Sequence, residues 1–192
     1  MKLRYHKKSK SGGFTLIEML VVLAILSMLA MLASNAFDGS RSKAQVMLTL
    51  GKQVGDANIQ LKTDTGCYVN TPKALFDDTT AQVAANNYCG RVFGKTWTRP
   101  YLGQYTVDAT NNLVIDKISA GVTVSFGKVA GGLGQRYYVR FSNVPMDVVH
   151  QALIECNNDD TTVGTFANNR CVAGTVAGQA PTTFDMLYDT TR

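Results

Sequence analysis

Residues 14–33, FTLIEMLVVLAILSMLAMLA, decide how this chain is built. In these 20 residues Glu18 is the only charge, and Thr15 and Ser27 are the only other polar side chains. As an α-helix the run is about 30 Å long, the hydrocarbon thickness of a bilayer. The stretch before it is basic: residues 1–13, MKLRYHKKSKSGG, hold Lys2, Arg4, Lys7, Lys8 and Lys10 and no acid. A positive flank ahead of an apolar span keeps the N-terminus cytoplasmic and sends the rest of the chain outward. A secretory signal peptide cut near Ala33-Ser34-Asn35-Ala36 is the rival reading, but its apolar region would be shorter.

The basic leader also accounts for the charge. The 192 residues carry 19 Lys+Arg and 14 Asp+Glu, a net charge of +5. Without the leader both totals are 14, so the basic balance says little about polyanions as partners. A hydrophobic content of 45% against 17% charged residues predicts a packed core, in one domain with an appendage.

Glu18 calls for a partner. An ionised carboxylate in apolar surroundings is costly unless it is neutralised, held at the interface or paired. A chain cut between Gly13 and Phe14 would present an α-amino group one helical turn before Glu18, or to a Glu18 on a neighbouring subunit. The plain alternative is a simple anchor whose Glu18 snorkels or stays protonated.

Basic leader, Gly13-Phe14-Thr15-Leu16-Ile17-Glu18 and uninterrupted apolar run, in that order, resemble the class III signal of type IV pilins and related pseudopilins. The resemblance covers the leader and the apolar helix. It implies cleavage after Gly13 by a prepilin peptidase, N-methylation of Phe14, and a Glu18 that neutralises the Phe14 amine of a neighbour during assembly. It also implies an inner-membrane precursor, handled by the pilus assembly machinery and polymerised with other pilin subunits into an extracellular fibre. The leader's length and Phe14 point to different branches, so types IVa and IVb both stay open.

Past Ala33 the apolar pattern becomes a stripe. Ala44, Met47, Leu50 (or Gly51), Val54, Ala57 and Leu61 recur at steps of three and four, the mark of an amphipathic helix. One helix is therefore expected from about 14 to 63, with Asn35 and Gly39 as its weak points. The organisation read from this is a leader, 1–13; a hydrophobic transmembrane or filament-core helix, 14–35; its amphipathic half, 36–64; and a globular head, 65–192.

Within the head, Asp77-Asp78-Thr79 predicts a capped short helix. Residues 104–110 and 113–118 read as one hairpin, and 122–129 and 135–144 as another, with Tyr137, Val139 and Phe141 sharing a face. Pro145 suits the first turn of a helix over 146–155, and residues 184–188 read as a last strand. Three or four antiparallel strands on the amphipathic half of the helix make an α+β, pilin-like fold. The order of hairpin followed by NVPMDVVHQALIEC is similar to the C-terminal half of type IVb pilins.

Cys67, Cys89, Cys156 and Cys171 all lie in the part sent outward, where disulfides persist. Four cysteines allow three pairings; the sequential one, Cys67 with Cys89 and Cys156 with Cys171, closes two short loops and is expected. Zinc is disfavoured for want of a Cys-x-x-Cys pair or paired histidines. No enzyme is expected: GGLG (131–134) lacks the rest of a phosphate loop, and His150 stands without a second histidine or a nucleophile motif. Asn157-Asn158-Asp159-Asp160 offers oxygens at a spacing that is not a calcium loop's. No metal or other cofactor is expected. Arg91, Lys95, Trp97 and Arg99 interleave base and aromatic, a composition suited to nucleic acid, although a structural tryptophan with solvated neighbours fits it too. The functional expectation is a structural type IV pilus subunit. The alternatives are a type II secretion pseudopilin and a minor pilin that binds DNA or a surface through residues 91–101.

Overall fold

The structure, a computed structural model, describes residues 16–36, 39–131 and 134–191, without the side chains of 29–36. The chain divides into two compact units, residues 1–38 and 39–192. The first holds helix α1, Leu16–Ala36. The second is the head, which opens with helix α2, Gly39–Thr65. Of the single helix expected over 14–63, the described parts are Leu16–Ala36 and Gly39–Thr65; residues 14, 15, 37 and 38 lie outside the described residues.

Every position of the apolar stripe, from Ala44 to Leu61, is buried. α2 ends where the sequence turns to glycine: Gly66 takes φ +79°, and its N–H donates to the Lys62 carbonyl at 2.6 Å. A residue without Cβ adopts that left-handed conformation at little cost, and so stops a helix.

Five antiparallel strands form one sheet: β1 Leu113–Val114, β2 Thr123–Gly131, β3 Gly134–Val144, β4 Cys171–Ala173 and β5 Thr182–Thr191, in the order β1-β2-β3-β5-β4. β2 and β3 pair from Thr123↔Ser142 to Gly131↔Gly134, as a long hairpin. The other expected hairpin is much reduced. Its first arm supplies only a bridge from Val107 to Leu113, and its second arm stops after Val114. Ile115 and Ile118 are both buried, three residues apart, which strand alternation forbids; a turn through Asp116 and Lys117 brings both inward. β4 was not foreseen, and the last strand runs well beyond 184–188 at both ends to lie between β3 and β4.

The core is a helix-on-sheet layer. Met47, Val54 and Leu61 of α2 share a buried cluster with Val139 and Phe141 of β3 and Phe184 and Met186 of β5. Each such fully buried side chain contributes about 1.5–3 kcal/mol. Asp77 caps the short helix α3, Asp78–Ala81, accepting from the Thr80 N–H at 3.0 Å. Helix α4, Met146–Asn157, packs Val148, Val149, Ala152 and Leu153 into the same cluster as α2. Pro145 stands just before it as the N-cap rather than in its first turn. On the far face of the sheet, Arg140 makes a two-pronged bond to Asp185, both contacts 2.8 Å.

Candidate functional site

The chain presents two regions with functional potential: the apolar helix α1 and the disulfide-bonded end of the head. In α1 every described side chain from Leu16 to Met28 is exposed, the large apolar ones by 47% at Val22 to 80% at Leu16. A helix greasy on all sides has no face of its own for water and requires an apolar surrounding, lipid or other helices. Ser27 avoids an orphaned hydroxyl by donating to the Ala24 carbonyl at 2.8 Å. Glu18 stands in the first turn, at the positive end of the helix dipole. Among the described residues no helix is long and apolar enough to cross a membrane. The span read over 14–35 includes residues beyond that description, and Gly13 and Phe14, the cleavage and methylation positions, also lie outside it.

In the head, Cys67 is bonded to Cys89 and Cys156 to Cys171. The first bond ties the chain after α2 to the irregular segment; the second ties the end of α4 to β4. A buried amide reinforces the first. Asn58, fully buried in α2, donates to the Val69 carbonyl at 3.1 Å and to the Tyr188 hydroxyl at 2.9 Å, and accepts from the Val69 N–H at 3.1 Å. Sequence reading missed Asn58, although a lone polar residue on the apolar stripe was the available signal.

The basic-aromatic segment is built into the head. Arg91 donates to the Thr65 carbonyl at the end of α2, Trp97 Nε1 donates to the Ala74 carbonyl at 3.2 Å, and Arg99 lies 5.9 Å from the centre of the Tyr101 ring. Arg91, Lys95 and Arg99 are exposed and Trp97 is half-buried.

The acidic loop is likewise closed on itself. Asp159 accepts from the Thr161 N–H at 3.0 Å and from the Thr161 and Thr162 hydroxyls, which together hold its carboxyl below the usual aspartate range. Asn157 is engaged with the Cys171 backbone at 2.6 and 3.1 Å. Among the described residues no group of three His, Cys, Asp or Glu side chains is placed to hold a metal ion. His150 has Nδ1 4.0 Å from an Asp160 carboxylate oxygen.

No curated protein and no solved structure matches the chain. One family model does, over residues 8–34, and its description is the prokaryotic N-terminal methylation motif. Those residues contain the Gly13-Phe14 junction, Glu18 and most of the exposed apolar helix. Residues 8–34 are therefore the class III signal of type IV prepilins.

Proposed function

We propose that this chain is a non-enzymatic structural subunit of a type IV pilus. It is made as an inner-membrane precursor, cut after Gly13 and N-methylated at Phe14 by prepilin peptidase, and polymerised into an extracellular fibre. The observation that carries the reading is an apolar helix exposed on every described side, beginning inside the methylation motif. Bundled with copies of itself, that helix gains the apolar surround it lacks alone. Glu18, facing the Phe14 amine of a neighbour, sets the register. The head, with its two disulfides, faces outward into an oxidising medium.

Glu18→Ala tests the assembly role. The variant is expected to insert in the membrane as the native chain does and to yield few or no fibres on shearing; normal fibres would overturn the pairing. The motif is common to pseudopilins, and recovery of long fibres outside the cell separates the pilus from a secretion piston.

A further inference from the structure

A groove of about 450 Å3 runs between the outward face of α2 and the chain at Tyr105 and Val114–Lys117. Its lining is apolar at Val46, Leu50 and Ile115, with Asp116 and Lys117 along one rim. Past Gln53 and Tyr105 it continues into a second depression lined by Asp56 and Tyr101, and the Tyr101 hydroxyl donates to Asp64 at 2.8 Å. Among the residues that line it, two acids, Asp56 and Asp116, stand against one base, Lys117. That balance suits a basic partner with an apolar tip.

The head itself carries such a tip. Val92, 61% exposed, is the most exposed large apolar side chain of the described head, and Arg91, Lys95 and Arg99 flank it. The segment is held in shape before any partner arrives. Cys89 is bonded to Cys67, Arg91 grips the Thr65 carbonyl, and Gly94 donates to the Gln82 side chain at 2.7 Å and accepts from it at 3.1 Å. A pre-ordered loop loses little entropy on docking.

Knob and apolar seat are displaced along one axis. The knob is fastened to the C-terminal end of α2, whereas the first depression, with Val46, Leu50 and Ile115, flanks residues 42–53 of the same helix, on average about 25 Å away at the α-helical rise. Two different patches that complement each other make a heterologous contact, and one that advances along an axis extends without closing.

Resting on the polymer reading above, we infer that the Arg91–Arg99 loop of one copy seats in the α2 groove of the next. Val92 packs near Val46, and Lys95 and Arg99 face the groove's acids. This is a contact between heads, additional to the bundling of α1.

The full-length chain tests it. In a Val46→Cys/Val92→Cys variant, fibres sheared from cells should give a ladder of dimers, trimers and longer species on a non-reducing gel, and neither single variant should. Fibres without a ladder, or a crosslink from position 46 to a different polypeptide, would overturn the contact while leaving the polymer reading intact. Independently, Asp116→Lys should lower fibre yield about tenfold, and adding Lys95→Asp should restore it. An unchanged yield, or no rescue, overturns the contact as well. A native chain that forms no fibres at all would remove the polymer reading and this inference together.

Discussion

Replacing Gly55 by alanine should destabilise the head, and the structure sets the size of the effect. A Cβ built at Gly55 would lie 2.7 Å from Cβ of Tyr188 and 3.0 Å from its Cγ. The obstacle is the first side-chain carbon of a strand residue, which cannot swing aside, so α2 and β5 must part. Overpacking costs about 1–3 kcal/mol, and so rigid an obstacle places this case near about 3. Alanine recovers about 1 kcal/mol of helix propensity, leaving a net loss of about 2 kcal/mol. For a chain of this size that lowers the unfolding midpoint by about 4–8 °C. Gly51, one turn earlier, is the control. There the new Cβ would meet the terminal Cε of Met186 at 2.8 Å and a ring carbon of Phe141 at 3.2 Å. A methionine methyl can rotate away, so Gly51→Ala should stay within about 1 kcal/mol of the native chain. Thermal unfolding of the purified chains in detergent reads both. A Gly55→Ala chain as stable as the native one, or less damaged than Gly51→Ala, would refute the reasoning.

Asn58→Ala strips the partners from the Val69 N–H and carbonyl and from the Tyr188 hydroxyl, and should cost about 3 kcal/mol in urea unfolding; a loss under about 1 would mean that the network is dispensable. Removing the Cys156–Cys171 bond, whose ends are 15 positions apart, should cost about 3 kcal/mol, and removing Cys67–Cys89, whose ends are 22 apart, slightly more. Thermal unfolding without reductant measures both, and unchanged midpoints would contradict the estimate. The Thr80 hydroxyl, more than any other group, draws the Asp77 carboxyl below the ordinary aspartate value of 3.8, helped by the Thr79 hydroxyl and the Thr80 N–H. A carboxyl lowered by folding contributes stability above its unfolded value, and loses that stability as pH falls through the folded one. Asp77→Asn should therefore differ from the native chain at neutral pH, and the gap should shrink below pH 3.8; a gap independent of pH would exclude the cap as its source.

What could be read in advance had a period. The α2 stripe and the alternation through Val139 and Phe141 were legible because a buried apolar residue recurs at each helical turn or at every second strand position. Gly55 was not legible, since nothing in a sequence reveals that a missing side chain makes room for Tyr188. Cys171–Ala173 is too short to show alternation, and its pairing is with β5, a strand legible in the sequence only over residues 184–188. The strand expected through 118 failed because Ile115 and Ile118 both answer to the core, and a turn satisfies that where a strand cannot. In the basic-aromatic segment, composition gave the residue types but not their attachments. Whether Arg91 faces a ligand or a helix end depends on where Thr65 stops. The motif at the N-terminus was legible because its residues stand together in the chain: a basic leader, Gly13-Phe14 and Glu18 ahead of an apolar run.

N-terminal mass spectrometry of fibres sheared from the cell surface tests the central claim most directly. The account predicts a mature chain that starts at Phe14 and carries one added methyl group. A chain that still begins at Met1, or one recovered only as a dissolved monomer, would contradict it.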